Sequence, residues 1–339
     1  MSTRLTSPPQ ATTRRGPISR RAGVARPVCR RAGACWTPHA SEAGTAKWWR
    51  SSASHVFVLP DPRGKRYLRF VPDVYRGAAA VEPVAGLMAQ LAASGSAVVR
   101  PVPAASGALT VTVPTALGPM HAMVVEAAAG TMLDVDDLIE SRAWAWGQAL
   151  AAVHQAAAGI DAGLPVAFGQ LVQVPERFGD DPALVKAAAR LGSRLAALAR
   201  DHSRFGVIHG DFELDNLAWE GERVTAFDFD EAAVCWYAAD IAYAVRVLTD
   251  PVGHPLVERQ GLFAAFVAGY RIVRPLDDAD LASLRLFTGV HAVCALVRID
   301  QALGVPGEDE PAWLAELRAK LAVIDRSHGE LAIAIAEDV

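Results

Sequence analysis

Cysteine and long apolar runs, which mark several common protein classes, are both scarce in this 339-residue sequence. Its four cysteines, at positions 29, 35, 235 and 294, form no CxxC pair and no zinc-ligand set, which favours a reducing cytoplasm over a disulfide-linked secreted protein. No run of about 18 apolar residues predicts a membrane span, and prolines interrupt the longest uncharged stretch, residues 101–125. These absences predict a cytoplasmic protein with no membrane partner.

Basic charge is also in short supply outside the beginning of the chain. The sequence has 33 Lys and Arg against 37 Asp and Glu, and only four of the basic residues are lysine. Eight arginines lie within residues 1–41, which contain no acidic residue, so the rest of the chain is more acidic than the net charge of −4 suggests. Because nucleic-acid binders present a basic face, we expect no nucleic-acid partner. The oligomeric state stays open.

Residues 1–46 have the composition of a disordered leader. They are rich in Arg, Pro, Ser and Thr and show no periodic apolar face, so they cannot bury enough surface to offset the entropy of ordering. They lack the apolar region of a secretory signal, and their prolines argue against the amphipathic helix of a transit peptide. A functional tail is the alternative interpretation.

The remaining sequence predicts an α+β protein with two lobes. Residues 47–128 show the order strand, strand, helix, strand, strand, with a Pro-Arg-Gly turn between the first two strands. The helix is predicted over residues 82–95, with Pro83 in its first turn, and the last two strands are predicted to join at Gly118-Pro119. Residues 129–339 carry Ala- and Leu-rich helical patterns, apart from two short strands in a charged stretch.

That charged stretch, IHGDFELDNLAWEGERVTAFDFDE at residues 208–231, requires either a structural or a chemical explanation. Charged groups beside a core are costly unless they are paired or bind a metal. Asp211 and Asn216 lie five residues apart in a loop, and Asp228 follows twelve residues later at the end of an apolar run. Asp and Asn oxygens suit Mg²⁺, and a neighbouring carboxylate can align a substrate hydroxyl with a phosphoryl group. The pattern therefore favours phosphoryl transfer.

The same motifs resemble those of a known family. HGDFELDN, the following FDFD and then WYAADIA resemble, in order, the catalytic and metal-binding loops of the aminoglycoside phosphotransferase and choline kinase family, relatives of the eukaryotic protein kinases. The resemblance runs from Trp48 to the end of the chain. It implies a bilobal protein-kinase-like fold, with a small β-rich N-terminal lobe and a larger, mainly helical C-terminal lobe. It also implies a kinase that uses ATP and Mg²⁺ to phosphorylate a hydroxyl of an aminoglycoside-, choline- or homoserine-like small molecule.

Position by position, the resemblance implies roles in the C-terminal lobe. Asp211 would be the catalytic residue, while Asn216 and Asp228 would be the Mg²⁺ ligands. His209 would pack beneath the loop, and Asp240 would cap its helix and brace the loop. We assume an ordinary carboxylate pKa of about 4 for Asp211, which makes it a weak base that acts mainly by alignment.

In the N-terminal lobe, the resemblance implies the nucleotide contacts. The strand YLRF would carry the phosphate-contacting cation, Arg69, and Glu82 would be the helix acid that pairs with it. The segment VVEAAAG resembles the hinge, where backbone groups around Glu126 and Ala128 would meet adenine. The alternative for Arg69 is a surface charge on an edge strand. The alternative for Glu82 is an acid in the first turn of a helix, where the helix macrodipole favours negative charge.

The sequence departs from the protein-kinase pattern in ways that bear on the acceptor substrate. RSSASHVF replaces a GxGxxG loop, and no APE-type segment follows the metal-binding motif, so a small-molecule kinase is favoured over a protein Ser/Thr kinase of the same fold. A phosphohydrolase built on His209, Asp211 and Asp228 is a weaker alternative, as is a catalytically silent nucleotide-binding module. Asp230 and Glu231 are interpreted as solvated or structural acids, with a role in the site as the alternative. Trp236 and Tyr237 are interpreted as aromatic core, with the wall of a substrate pocket as the alternative. The remaining residues of this kind are predicted to be core or surface residues: His55, His121, His154, His291 and Cys235.

Overall fold

The structure is a computed structural model that describes residues 46–51, 54–59, 64–307 and 310–339. The predicted leader, up to residue 45, and most of the predicted Pro-Arg-Gly turn lie outside these described residues. The chain divides into two compact units: one reaches to Gly77 and resumes over Val102–Val125, and the other comprises Ala78–Pro101 and Glu126–Val339. The lobe boundaries at 47–128 and 129–339 stay a prediction.

A six-stranded sheet forms the first unit, in the order β1-β2-β3-β6-β4 with β5 paired to β6. Neighbouring pairs β1–β2, β2–β3 and β5–β6 are antiparallel. Alternate side chains of β2 and β3 point to one face and form a core with residues of β5 and β6. The strands are β1 (Lys47–Ser51), β2 (His55–Leu59), β3 (Arg66–Pro72), β4 (Pro101–Val102), β5 (Thr110–Thr115) and β6 (Gly118–Glu126).

The hairpin between β5 and β6 differs from the sequence prediction. Thr115 pairs with Gly118, so residues 116–117 form the turn and the predicted turn at Gly118-Pro119 is wrong. Gly118 has φ +97°, a left-handed value that glycine adopts without a steric penalty, and this explains a glycine at the end of the turn. Strands β1 and β4 were not predicted at all.

Helix α1 (Ala78–Ala93) begins four residues before its predicted start. Residues 78–80 are alanines, the strongest helix formers, and they extend the helix towards its N-terminus. Pro83 therefore lies inside the helix, where it lacks the N–H that would donate to the Ala79 carbonyl, and not in the first turn. Five large apolar side chains on one side of α1 are buried, and the helix belongs to the second unit.

The second unit is mainly helical, as predicted. Two small antiparallel sheets, β7–β10 and β8–β9, lie within it and contain the charged stretch. Its strands are β7 (Phe205–Ile208), β8 (Leu217–Glu220), β9 (Arg223–Ala226) and β10 (Ala233–Trp236). Its further helices are α2 (Glu140–Ala157), α3 (Val174–Arg177), α4 (Pro182–Ala196), α5 (Tyr237–Ala244), α6 (Gln260–Val273), α7 (Asp278–Leu303) and α8 (Ala312–Asp338).

Helix α7 forms a large part of the core of the second unit. It is the one described helix long and apolar enough to cross a membrane, judged by length and composition alone, and 56% of its apolar window is buried in the protein. Phe287, Val290, Val293 and Val297 on α7 have almost no exposed surface, so their apolar character is explained by packing.

Helices α2 and α6 pack unusually close to each other. A Cβ atom on Gly147 of α2 would lie 1.9 Å from the Phe266 carbonyl oxygen, and one on Gly269 of α6 would lie 1.9 Å from the Trp144 oxygen. Such distances exclude any side chain, so the crossing requires both glycines. The close packing fixes α2, whose Trp146 donates a hydrogen bond from Nε1 to the Phe212 oxygen, 3.2 Å away, in the HGD loop.

Candidate active site

The HGD loop follows directly from β7, which the pairing with β10 holds in place. Gly210 has φ +82°, and a Cβ atom there would lie 2.2 Å from the carbonyl oxygen of Glu231. Only glycine fits this position, both for its backbone conformation and for the close approach of the two segments. The loop at residues 209–216 is therefore packed directly against the segment that follows Asp228.

Asp240 braces this loop, as predicted. Its Oδ2 accepts the backbone N–H of His209 at 2.8 Å, and its Oδ1 accepts that of Gly210 at 2.9 Å. The predicted helix cap is wrong, because α5 begins at Tyr237 after Trp236 and Asp240 lies inside the first turn. Its carboxylate points at the loop and satisfies two N–H groups that would otherwise lie unpaired beside the core.

The Asp240 carboxylate is itself held by α2 and α6. His154 Nε2 lies 2.9 Å from Asp240 Oδ2, and His154 Nδ1 lies 2.8 Å from the hydroxyl of Tyr270. Burial lowers the pKa of His154 despite the nearby carboxylate, so the neutral imidazole donates to Asp240 and accepts from Tyr270. Burial would raise the pKa of Asp240, but the hydrogen bonds that its carboxylate accepts from His154 and from the His209 N–H outweigh burial, and the pKa is lowered.

His209 packs beneath the loop, as predicted. Its Nδ1 accepts the Asp211 N–H at 3.2 Å and its Nε2 donates to the Phe227 oxygen at 3.1 Å. Its ring lies against Phe229, with the centroids 4.3 Å apart, and burial lowers its pKa. Because both ring nitrogens are hydrogen-bonded to the backbone, His209 cannot serve as a metal ligand. This excludes the phosphohydrolase built on His209.

Asp211 and Asn216 form one hydrogen-bonded unit. The Asn216 Nδ2 donates to Asp211 Oδ2 at 2.8 Å and to the Asp211 backbone oxygen at 2.9 Å. The other carboxylate oxygen, Oδ1, is buried and has no hydrogen-bond partner among the described residues. Burial, with the Glu213 charge next, raises the pKa of Asp211 to about 7, so the ordinary value assumed from sequence is wrong.

Asp228 follows β9 with φ 66° and ψ 61°, a left-handed conformation that is uncommon for a residue other than glycine. Its charge adds to the raised pKa of Asp211 and opposes the lowering of the His209 pKa by burial, so Asp228 lies near both residues. The Phe227 N–H donates to the backbone carbonyl oxygen of Asn216 at 3.0 Å, and this hydrogen bond joins the two predicted metal-binding segments. Backbone strain of this kind is concentrated at functional sites.

The donor atoms at this site fit a divalent cation. Because the Asn216 nitrogen is bound to Asp211, its Oδ1 is the group available to a cation, and Asp228 adds a carboxylate. In the described parts of the chain, no group of three His, Cys, Asp or Glu side chains could hold a metal ion. Mg²⁺ is usually held by one or two protein oxygens together with phosphate oxygens and water, which matches this pair.

The predicted nucleotide contacts of the N-terminal lobe fall in both units. Arg69 is buried in β3, an inner strand of the sheet, so the edge-strand surface alternative is wrong. Its Nη2 lies 3.4 Å from the Ser54 hydroxyl in the same unit. Glu82 is an exposed residue in the second turn of α1, so the alternative that placed it in a first turn is also wrong.

The predicted hinge lies at the end of β6. The Glu126 N–H donates to the Arg100 oxygen at 2.9 Å, and Ala128 follows as a half-buried residue. Two residues later, Gly130 has φ +93°, and a Cβ atom there would lie 2.1 Å from the backbone oxygen of Trp219, in the strand that follows the HGD loop. The segment is thus anchored in the second unit.

A charged pair beside Asp211 was missed from the sequence. Arg246, after α5, donates from Nη2 to Glu213 Oε2, and its guanidinium carbon lies 4.0 Å from the ring centroid of Tyr243. Both charges act on the pKa of Asp211. The position of Glu213, two residues after Asp211, could have indicated a charged group in the site. Its partner Arg246 lies 33 residues away, and no local sequence pattern links the two.

The residues predicted to be structural are largely buried. His121, His154 and Trp236 are buried and hydrogen-bonded, His291 donates to the Ala239 oxygen, Tyr237 is buried, and Cys235 is a buried thiol whose pKa burial raises. Glu231 differs, because its Oε2 accepts a hydrogen bond from Arg298 Nη1 at 3.2 Å near the surface. The role of Asp230 stays a prediction.

Comparison with known proteins supports the same interpretation. The family model described as APH, phosphotransferase enzyme family, matches residues 48–276. An uncharacterized protein of Deinococcus radiodurans is 36% identical over 216 residues, 60% of this chain and 61% of its own length, so this chain spans about three fifths of that relative. The amicoumacin kinase of Bacillus subtilis is 24% identical over 245 residues, covering 67% of this chain and 72% of its own.

Solved structures share the fold. An amicoumacin kinase in complex with AMP-PNP, Ca²⁺ and Ami superposes with a TM-score of 0.74 at 19% identity, over 93% of this chain and 96% of its own. A microcompartment-associated aminopropanol kinase gives a TM-score of 0.68 at 22% identity, over 92% and 96% of the two chains. The predicted α+β, protein-kinase-like fold is therefore confirmed.

Proposed function

The chain belongs to the phosphotransferase enzyme family, and from this premise we propose that it transfers the γ-phosphoryl group of ATP to a hydroxyl of a small molecule. The observation that carries the proposal is Asp211, whose buried Oδ1 has no hydrogen-bond partner among the described residues while Asn216 holds Oδ2. A buried carboxylate oxygen without a partner is costly, and a substrate hydroxyl would satisfy it.

The reaction assigns separate work to each side chain. Asp211 accepts the hydrogen of the acceptor hydroxyl and aligns its oxygen with the phosphoryl group, as the new O–P bond forms and the bond to the leaving ADP oxygen breaks. The hydroxyl proton passes to the Asp211 carboxylate, whose pKa of about 7 makes it a competent base near neutral pH. Asp240 and His209 hold the loop in position, so little reorganisation is needed.

A divalent cation, Mg²⁺ in our proposal, would be held by Asn216 and Asp228. When bound, it neutralises charge on the phosphate oxygens, which is the main need of phosphoryl transfer. On the nucleotide side we propose Arg69 as the phosphate-contacting cation, Glu82 as the helix acid of the nucleotide site, and the backbone at Glu126 and Ala128 as the adenine contact. The Glu126 N–H already donates to Arg100, so its carbonyl oxygen is the group proposed to face adenine.

Two other functions remain as alternatives to test. A catalytically silent module would bind nucleotide without turnover, but an intact Asp211–Asn216 unit with a raised Asp211 pKa favours chemistry. A protein Ser/Thr kinase would need a peptide acceptor, whereas the relatives named amicoumacin kinase and aminopropanol kinase carry the names of small molecules. We also propose that the reaction takes place in the cytoplasm.

An ADP-release screen tests the proposal. The full chain is incubated with ATP and Mg²⁺ and with aminoglycosides, amino alcohols, hydroxy amino acids, sugars or a generic protein substrate. We expect ADP release that depends on one class of small molecule and stops when the metal is chelated. Thermal stabilisation by Mg²⁺-ATP without ADP release on any acceptor would instead support the silent module, and release only with the protein would support the protein kinase.

A further inference from the structure

The charged side chains beside Asp211 are arranged in two acid–base pairs. Arg246 binds Glu213, and Arg298 binds Glu231, so these two carboxylates each have a guanidinium partner. All four side chains are only partly buried, between 22% and 44% exposed, and can therefore exchange a partner for a ligand. Exposed ion pairs contribute little stability, so a ligand can replace one at small cost.

Arg246 is positioned by two contacts with Tyr243. Its guanidinium carbon lies 4.0 Å from the centroid of the Tyr243 ring, and its Nη1 donates to the Tyr243 backbone oxygen at 3.1 Å. Stacking on an aromatic face fixes the plane of the guanidinium, and a planar guanidinium recognises carboxylates through two parallel hydrogen bonds. Arg246 follows α5, which contains Asp240, so the fold that braces Asp211 also positions Arg246.

The Glu213–Arg246 pair is close enough to Asp211 for both charges to act on its pKa. Glu213 is two residues from Asp211, and the charges of Glu213 and Arg246 are among those that act on it. A molecule whose hydroxyl satisfies Asp211 Oδ1 would bring its other groups beside this pair. An ammonium group matches Glu213, and a carboxylate matches Arg246.

We propose that the acceptor is a small zwitterion, a hydroxy amino acid, whose carboxylate binds Arg246 and whose ammonium group binds Glu213. This inference rests on the proposed kinase function and adds the substrate class. A polycationic aminoglycoside would instead meet two guanidinium groups, and Glu213 and Glu231 would already be paired with them. An amino alcohol would leave the Arg246 fork without its anion, and a hydroxy acid would leave Glu213 without its cation.

Matched acceptors test the substrate class. The full chain is assayed with L-serine, L-threonine, L-homoserine and trans-4-hydroxy-L-proline, and with the decarboxylated and the deaminated counterpart of each, with kanamycin as a polycation. We expect kcat/KM for at least one hydroxy amino acid to exceed that of both its counterparts by about 100-fold, because a site built for a charged group rejects the analogue that lacks it. Turnover of an amino alcohol or of kanamycin, without turnover of any hydroxy amino acid, would overturn the inference and leave the kinase function standing. No ADP release with any acceptor in the wider screen would overturn the kinase function itself.

Variants then test the two residues. Arg246→Met should lower kcat/KM for the amino acid by about 100-fold, mainly through KM, and change that for the amino alcohol less than about 3-fold. Glu213→Gln should lower kcat/KM for the amino acid by about 100-fold and change kcat/KM for the corresponding hydroxy acid less than about 3-fold. Arg246→Lys keeps the charge without the fork and should lose about 10-fold. Arg285→Met, which removes an ion pair with Asp338 at the protein surface, is the matched control and should change neither acceptor.

A specific pattern would assign Arg246 to another role. If Arg246→Met lowers kcat for the amino acid and for the amino alcohol by the same factor, Arg246 acts on the transferring phosphoryl group and the inference is wrong. Melting temperatures of all variants establish that each one is folded.

Discussion

Asp211 and Asp228 are both acidic residues of the same site, but their surroundings assign them different work. One carboxylate oxygen of Asp211 accepts a hydrogen bond from Asn216, and the other is buried without a partner among the described residues. Burial is the main cause that raises the pKa of Asp211 to about 7. Asp228 is held in a left-handed backbone conformation at the end of β9. The first arrangement suits the proposed binding of a substrate hydroxyl, and the second suits the metal-ligand role proposed for Asp228.

The first prediction concerns Asp211. Asp211→Asn should lower turnover by at least about 100-fold, because the amide cannot accept the hydroxyl proton, while Mg²⁺-ATP affinity stays within a few-fold of the native value. Titration with a fluorescent nucleotide followed by an ADP-release assay measures both quantities. Asp215→Asn, in the same loop but exposed, is the control and should keep native turnover. Near-native turnover of Asp211→Asn would refute the catalytic role of this loop.

Asp228 should behave differently in the same experiment. Asp228→Asn removes the charge but keeps a side chain that tolerates the left-handed backbone at φ 66°, so the fold is preserved. We expect Mg²⁺-ATP binding and turnover to fall together, and nucleotide affinity measured with a chelator to stay the same. The result that would contradict the ligand role is an unchanged Mg²⁺ dependence of nucleotide binding.

At the scale of helices and strands, the site depends on elements that are distant in sequence. The HGD loop is held by Asp240 from α5, Asp240 by His154 from α2, and His154 by Tyr270 from α6. The contact between α2 and α6, with backbone at Gly147 and Gly269 almost touching the opposite helix, fixes these distances. A change at the helix crossing should therefore reach the active site.

Gly147→Ala tests this connection. Its Cβ atom would lie 1.9 Å from the Phe266 backbone oxygen, so the helices must separate, and overpacking of this kind costs about 1–3 kcal/mol. We expect that loss in urea unfolding together with reduced turnover, because Trp146 next to it holds Phe212. Gly192→Ala in α4 meets no atom within 4 Å and should instead stabilise the protein by about 0.5–1 kcal/mol. Equal effects of the two substitutions would show that the close crossing is unimportant.

At the scale of the whole molecule, the sequence predicted the parts that depend on local patterns. The α+β order and the helical second half follow from periodicity over short stretches. The spacing of Asp211, Asn216 and Asp228 and the resemblance of their motifs to the family pointed to a phosphoryl-transfer site, and the role of each residue stays a prediction. The start of α1 and the turn at residues 116–117 were wrong, because an alanine run and the strand register decide them. The Glu213–Arg246 pair and the raised pKa of Asp211 could not be predicted, since both depend on contacts and burial between distant segments.

Buried histidines give the folded protein a pH dependence of stability. Burial lowers the pKa of His154 and His209, and lowers that of His291 to about 4 although Asp240 is nearby, with Arg298 and Arg246 acting in the same direction as burial. These side chains stay neutral in the folded protein but take up protons in the unfolded chain below a pKa of about 6.5. Their contribution to the free energy of unfolding is therefore complete above about pH 7 and is lost as the pH falls through 6 towards 4.

The size of this effect can be measured in urea unfolding between pH 8 and pH 5. His291, whose pKa in the folded protein is about 4, should remove about 1.4 kcal/mol per pH unit below about pH 6. His154 and His209 act in the same direction, and Asp211, which is protonated in the folded protein at such pH values, acts in the opposite direction. His291→Gln keeps a donor for the Ala239 oxygen but cannot titrate, so the slope below pH 6 should become shallower by about 1.4 kcal/mol per pH unit. His254→Gln, at a side chain 61% exposed, is the control and should leave the slope unchanged. Stability that stays constant or rises from pH 7 to pH 5 would mean that these histidines are charged inside the folded protein. The neutral imidazoles that are assigned here to hold Asp240 and the HGD loop in place would then be wrong.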